Sequence, residues 1–242
     1  SSFKKLNISK LLEREVVPPV QELLNSDVKK RSVLVTGAGG SIGSELCLQL
    51  INLNPIIVIL LDHDEFSLYE ITGKLNEEKN KKNIKTKFLP VLGSVNNEEL
   101  IKKICNKYKI NTVYHAAAYK HVNILENNII EGAKNNILGT YSCVKASITA
   151  EVNNFVLIST DKAVRPTSIM GVTKRISEMI VQSKANANTR FSIVRFGNVI
   201  GSSGSVIPLF EKQISQGGPI TVTHEDVIRY FMTITEASQL VI

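Results

Sequence analysis

A short apolar run, Val33-Leu34-Val35, breaks after Thr36 into Gly37-Ala38-Gly39-Gly40-Ser41-Ile42-Gly43, and this junction constrains the fold more than any other stretch. A strand buried on both faces reads as continuous apolar residues. Glycines at 37, 40 and 43 let the backbone turn sharply and approach a ligand without Cβ collisions. The spacing predicts a helix starting beneath the turn, with Ile42, Leu46 and Leu50 on one stripe and its first N–H groups and positive dipole end turned to an anion. A second apolar run, Ile56 to Leu61, ends in Asp62, nineteen residues after Gly43. A dinucleotide-binding βαβ unit places there the carboxylate that accepts hydrogen bonds from the adenosine ribose hydroxyls. A glycine triplet alone often makes nothing more than a tight turn. Strand, glycine turn, amphipathic helix, second strand and terminal acid, in that order within about thirty residues, point to dinucleotide binding.

With 242 residues the chain has room for one full core, or for a main domain with a small lobe. Its 29 Lys and Arg against 22 Asp and Glu leave a formal net charge of +7, which admits an anionic partner such as nucleic acid, a membrane surface or a phosphorylated substrate. Much of the excess lies in the Lys- and Asn-rich stretch from Lys74 to Lys87, which reads as solvated surface. No aromatic residue interleaves there to stack on bases, so nucleic acid is not expected as a partner. Cys47, Cys105 and Cys143 are widely spaced, without a CxxC or a histidine at ligand spacing. They are expected as buried thiols of a reducing compartment, and no metal site is indicated. The longest apolar run, Pro55 to Leu61, is too short to span a bilayer, and no signal peptide is expected in the stretch from Ser1. The sequence starts Ser-Ser-Phe and stops at Leu240-Val241-Ile242 in what reads as mid-helix, as expected of a piece of a longer protein.

Residues 1–30 carry no periodicity strong enough for a core helix and are expected to form an arm or linker, with Leu11-Leu12 and Val16-Val17 able to dock on the surface. From residue 31 strands and helices alternate. The patterns predict a helix from Glu65 to Leu75, a third strand from Phe88 to Leu92 ending in Gly93-Ser94, and an Asn97-capped helix through Tyr108. A fourth strand, Asn111 to His115, runs into Ala116-Ala117-Ala118, small residues against which a cofactor can lie. A long helix follows from Glu126 to Ala150, with Gly139 permitting a close neighbour. The fifth strand, Phe155 to Ile158, delivers Ser159-Thr160-Asp161-Lys162, and a helix from Met170 to Ser183 leads to a sixth strand, Phe191 to Phe196. This alternation implies an α/β fold, a Rossmann-type doubly wound parallel sheet whose reactive groups gather at the carboxyl ends of the strands. Beyond Gly197 come a Gly- and Ser-rich loop, an apolar helix near Val206, and Gly217-Gly218-Pro219. From about residue 198 onward this reads as the start of a small substrate-binding lobe.

Several runs now become specific: Tyr114-His115-Ala116-Ala117-Ala118-Tyr119-Lys120-His121-Val122, Ser159 to Val164, Met170 to Arg175, Arg195 to Phe210, and Gly217 to Met232. Together with the glycine turn they resemble the extended short-chain dehydrogenase/reductase family, and within it the CapD-like polysaccharide-biosynthesis nucleotide-sugar 4,6-dehydratases, over nearly the whole chain. The resemblance implies an NAD(P)-dependent lyase that converts UDP-N-acetylglucosamine to a UDP-4-keto-6-deoxy sugar for bacterial surface glycans. Its chemistry is redox-neutral: a hydride leaves C4 and returns at C6, C5 is deprotonated, and water leaves from C6. Such a cycle needs a proton acceptor at O4, a base at C5 and an acid at O6.

Carried over by position, the resemblance makes Asp161 the acid for O6 and Lys162 the base for C5, with Lys174 holding the nicotinamide ribose. It assigns cofactor contacts to Gly37, Gly39, Gly40, Ser41, Ile42, Gly43, Asp62, Ser94, Val95, Ala116, Ala117 and Ala118. Substrate contacts fall to Lys120, His121, Asn198, Ser205, Val206, Thr221 and Arg229, with Asn198 and Arg229 at the diphosphate; Lys120 and His121 read equally well as a surface lysine and a capping histidine. The superfamily's Tyr-x-x-x-Lys is here Met170-Gly171-Val172-Thr173-Lys174, and a thioether takes no proton. The O4 base is thus left open among Thr160, Asp161 and a bound water. Asp161 and Lys162 would favour each other's charged forms if they met, so they are expected to point apart. Asp62 favours NAD, although relatives also use NADP. A 4-epimerase and a noncatalytic dinucleotide module are the competing readings, the latter favoured by Met170. The resemblance also implies a homo-oligomer and a cytoplasmic catalytic portion of a bacterial inner-membrane protein whose transmembrane helices lie upstream of Ser1.

Overall fold

The computed structural model describes residue 24 and residues 27–184, 187–202, 206–222, 224–226 and 228–242. Residues 1–23, which make up most of the expected arm, and Ser205 lie outside the described residues. Val28 is fully buried and Leu24 nearly so in the core. Asp27 accepts a hydrogen bond from Thr112 Oγ1 through its carbonyl and pairs with Arg190 through its carboxylate, so the entry to the domain is fastened to the sheet.

In chain order the elements are β1 (Ser32–Thr36), α1 (Ser41–Leu50), β2 (Ile57–Asp62), α2 (Glu65–Lys82), β3 (Lys87–Leu92), α3 (Glu98–Tyr108) and β4 (Thr112–His115). Then come α4 (Val122–Glu126), α5 (Ile129–Ala133), a π-helical turn (Lys134–Leu138), α6 (Gly139–Thr149) and β5 (Asn154–Thr160). A 3-10 turn (Asp161–Ala163) leads to α7 (Ile169–Gln182), β6 (Arg190–Phe196), β7 (Asn198–Ile200), α8 (Val206–Ser215), β8 (Phe231–Thr233) and α9 (Ile234–Val241).

The first six strands form one sheet in the order β3-β2-β1-β4-β5-β6, with every pairing parallel. The order reverses between β1 and β4, and the crevice outside their carboxyl ends is where such sheets bind ligands. Alternate residues of β1 feed the two cores: Val33 and Val35 pack with Leu46 and Leu50, whereas Leu34 packs on the other face with Ile101 and Val144. Asn97 caps its helix as expected, accepting from Leu100 N at 3.0 Å, and Ser168 does the same for α7, accepting from Gly171 N at 3.2 Å. The short parallel pair β7-β8 stands apart from the main sheet.

Two expectations are corrected. The helix expected from Glu126 to Ala150 is interrupted: Asn127 and Asn128 turn their amides back onto the Asn123 and Ile124 carbonyls, ending α4 before α5 begins. The π turn then carries Asn136 to the backbone of Tyr119, where its side chain accepts from the N–H at 2.8 Å and donates to the carbonyl at 3.0 Å. In turn, α2, expected to end at Leu75, runs on to Lys82, and its lysines lie on the solvated surface as expected. Glu70–Lys74 and Glu78–Lys82 pairs line it, and Asn83 closes it in the left-handed region. The three cysteines are buried and unpaired, and burial raises their thiol pKa values, that of Cys105 to about 12. No helix among the described residues is long and apolar enough to cross a membrane.

Candidate active site

The glycine turn closes on the neighbouring strand end. Gly37 has φ +66°, and a Cβ there would stand 2.6 Å from Ala117 N. Asp62 accepts from Gly39 N at 2.8 Å through Oδ2 and from Asp64 N at 3.1 Å through Oδ1, which binds the end of β2 to the turn. Between them lies a cleft of about 210 Å³, lined by Gly37, Gly40, Asp62, Val95, Ala116, Ala117 and Ala118, all of them among the residues to which the resemblance assigns cofactor contacts. His63, Ser67, Tyr119 and Asn135 also line it, and the His63 and Tyr119 rings meet edge-on at 6.0 Å. Ser41 and Ile42 open α1 beside the cleft without lining it, and Ser94 Oγ is engaged by Asn96 N. Glycines that no side chain can replace, a helix N-terminus and a buried carboxylate at a topological switch point fit a dinucleotide.

At the carboxyl end of β5, Thr160, Asp161 and Lys162 form one hydrogen-bonded group. Lys162 Nζ donates to Asp161 Oδ1 at 3.0 Å and to Asn198 Oδ1 at 3.0 Å, and Thr160 Oγ1 donates to Asp161 Oδ1 at 2.9 Å. The side chains expected to point apart therefore meet. Both start from one 3-10 turn and keep 49% (Asp161) and 37% (Lys162) of their surface exposed, so the pair forms without being fully desolvated. Burial raises the Asp161 pKa, but hydrogen bonds from Lys162 and Thr160 outweigh it and leave the carboxyl below its ordinary value. Asn198, expected at a diphosphate, is held here by a backbone bond from its own N–H to the Tyr230 carbonyl at 3.0 Å.

Met170 and Lys174 lie one turn apart on the buried face of α7. Lys174 Nζ donates to the Ile158 carbonyl at 2.6 Å, and burial, partly offset by Glu178, lowers its pKa to about 8. Lys120 and His121 are exposed; the His121 carbonyl caps α4, while its side chain makes no capping bond. Val206 begins α8 and is exposed. Thr221 is tied to Gln213 through both its N–H and its hydroxyl. Arg229 is exposed, with Nη1 donating to the Ile228 carbonyl. Among the described residues no cluster suits a metal ion.

Residues 33–242 match the family described as polysaccharide biosynthesis protein. The chain belongs to that family. It is 48% identical over 244 residues to the capsular polysaccharide biosynthesis protein CapD of Staphylococcus aureus, covering 100% of this chain and 40% of CapD. It is 32% identical to an inverting UDP-N-acetylglucosamine 4,6-dehydratase of Campylobacter jejuni and 33% identical to a UDP-glucose 4-epimerase of Rickettsia rickettsii, in each case over 88% of this chain and 62% of the relative. The X-ray structure of Pen from Bacillus thuringiensis aligns with a TM-score of 0.79 at 35% identity, covering 89% of this chain and 67% of Pen. The chain thus spans about two fifths of CapD and about three fifths of the other two relatives.

This member of the polysaccharide biosynthesis protein family also builds its site with residues that motif reading passed over. His115 is buried with Nδ1 2.7 Å from Thr36 Oγ1 and Nε2 3.1 Å from Thr140 Oγ1. The Thr140 hydroxyl gives its proton to the Asn136 carbonyl, so Nε2 must be the protonated nitrogen. Burial, helped by the Lys174 charge, drives the His115 pKa to about 3 and leaves it neutral. Glu178 is fully buried on α7 and bonded to Ser159, Arg175 and Arg195. A signal for Glu178 existed in its spacing, one turn beyond Lys174.

Proposed function

We propose that this protein is a nucleotide-sugar 4,6-dehydratase that uses NAD and acts on UDP-N-acetylglucosamine. The observation that supports this reading is the contact of Asp161 with Lys162 at the carboxyl end of β5, an acidic and a basic side chain held together at the same edge of the sheet as the cleft. An epimerase moves a hydride and the O4 proton and has no step that calls for such a pair. Eliminating water from C5 and C6 needs both members.

NAD held in the cleft supplies a hydride acceptor for C4 and a donor for C6. The protons are handled by the chain. Thr160 Oγ1 accepts from Lys162 N and donates to Asp161 Oδ1, which leaves one lone pair for the O4 proton. That proton passes along the hydroxyl to Asp161, and the role denied to Met170 falls to Thr160. Asp161, now a carboxylic acid, protonates O6 as water departs. Lys162, as the amine, takes the C5 proton and returns it to C5 after the C6 position has been reduced. Lys162, paired with Asp161 as the ammonium before sugar binds, must first give a proton to solvent; Asp161 then ends as carboxylate and Lys162 as amine, so the steps on the sugar balance. Lys174, a cation at neutral pH held on the Ile158 carbonyl, adds positive charge at the carboxyl end of β5.

Incubation with UDP-N-acetylglucosamine and NAD is expected to yield a 4-keto-6-deoxy sugar nucleotide lighter by one water. A C4 epimer, or unchanged sugar at saturating NAD, overturns the reading. The cofactor preference is a separate expectation. A 2′-phosphate would have to sit against the Asp62 carboxylate, whose partners Gly39 N and Asp64 N hold it in place. NAD should bind more tightly than NADP by on the order of tenfold, about 1.4 kcal/mol, in calorimetric titrations. Equal affinities would remove Asp62 as the discriminator.

A further inference from the structure

Glu178 has no exposed surface, yet it is ionised: burial pushes its carboxyl up, and hydrogen bonds from Arg195, Ser159 and Arg175 outweigh this and leave the pKa at about 2. Its oxygens accept from Ser159 Oγ at 2.6 Å, Arg195 Nε at 2.7 Å, Arg195 Nη2 at 2.5 Å and Arg175 Nη1 at 3.0 Å. Replacing a buried ion group with apolar side chains is often neutral or stabilising, so stability alone does not account for it. Each partner lies close in sequence to a group of the site. Ser159 directly precedes Thr160-Asp161-Lys162, Arg195 stands three residues before Asn198, and Glu178 itself follows Lys174 by one helical turn.

We propose that Glu178 is a positioning residue whose buried carboxylate, held by Ser159 of β5 and Arg195 of β6, sets the spacing of Lys174 against the Asp161–Lys162–Asn198 group. The inference rests on the dehydratase reading for its kinetic consequence and on the geometry alone for its electrostatic one. Without the carboxylate, β5, β6 and α7 lose their common anchor. A shift of about 1 Å in such a group costs on the order of 10²-fold in rate. Lys174 would also lose the anion that opposes its desolvation. No other group of the network replaces that anion: His115 of β4, which feels the Lys174 charge, is neutral, and Arg175 of α7 and Arg195 of β6, which pair with Glu178, are cations.

The test uses Glu178→Gln and Ser159→Ala. Ser159→Ala removes one of four hydrogen bonds without stranding a charge, so it is expected to fold and to lower kcat about tenfold with KM changed less than about twofold. Glu178→Gln is expected to lower kcat on the order of 10²-fold and to bring the proton loss of Lys174 down by about one pH unit, followed by NMR of its side-chain carbon in the absence of nucleotide and sugar. A folded Glu178→Gln with parental kcat and an unmoved Lys174 titration overturns the proposal. If that variant does not fold, parental kcat in Ser159→Ala overturns it instead. A parent protein without dehydratase turnover counts against the function, and the Lys174 titration then decides the role of Glu178 by itself.

Discussion

Replacing Lys162 by methionine is expected to stop dehydration, lowering kcat by about 10³-fold or more, while the protein folds and binds NAD as before. The side chain lies at a strand end, where its ammonium bonds Asp161 and Asn198, and it belongs to neither hydrophobic core nor to the lining of the dinucleotide cleft. Its loss therefore removes chemistry and leaves packing intact. Oxidation at C4 precedes the step that needs Lys162, so the variant should accumulate the absorbance of reduced dinucleotide when sugar is added. In deuterated water it should incorporate little deuterium at C5. Asp161→Asn should behave differently, because the carboxylate receives the O4 proton through Thr160; neither reduced dinucleotide nor dehydrated product should form at an appreciable rate. Near-parental C5 exchange in Lys162→Met would place the base elsewhere, with Lys120 or His121 next to be tested. Parental hydride transfer in Asp161→Asn would sink the route through Thr160.

The succession of strands and helices was legible because buried parallel strands leave continuous apolar runs and helices leave a repeating stripe, both of them local signals. The break in the long helix was not. Apolar periodicity continues across Asn127 and Asn128, and only the return of their amides to the preceding carbonyls ends the segment. The π turn depends on Asn136 reaching Tyr119, seventeen residues away in the chain, a contact that periodicity does not encode. For α2 the error ran the other way. The lysine run is surface as composition described it, but apolar periodicity ends at Leu75, and ion pairs one turn apart let the run remain helical to Lys82.

In the site, what sequence spacing captured was the part made by consecutive residues. The glycines, Asp62 and the alanine run come together because one βαβ unit and the next strand bring them together. Long-range partners escaped. Whether Asp161 and Lys162 meet depends on a 3-10 turn and on Asn198, thirty-six residues beyond Lys162. Glu178 drew no notice in the sequence, and it is Arg195 on the adjoining strand that makes it the anchor of a buried network.

Gly43→Ala is expected to cost about 3 kcal/mol, lowering the melting temperature by about 6–12 °C, and to weaken NAD binding on the order of 100-fold. An ideal Cβ on Gly43 would lie 2.0 Å from the Gly37 carbonyl oxygen and 3.0 Å from the Ala38 Cα. Both are backbone atoms, so no rotamer change relieves the collision. Either the turn or the first turn of α1 must move, and the same Gly37 carbonyl already accepts from Gly40 N at 3.1 Å to close the loop. Displacing it spoils the N–H groups that would face the pyrophosphate, which is why stability and affinity should fall together. Gly73→Ala is the control. It lies exposed within α2, a Cβ there meets nothing within 4 Å, and the substitution should raise stability by about 1 kcal/mol, about 2–4 °C, with NAD affinity unchanged. Thermal melts and NAD titrations of the two variants side by side separate the cost of filling the cradle from the ordinary gain of replacing glycine in a helix. A Gly43→Ala protein that melts and binds like the parent would mean that the loop is not the rigid cradle this geometry describes.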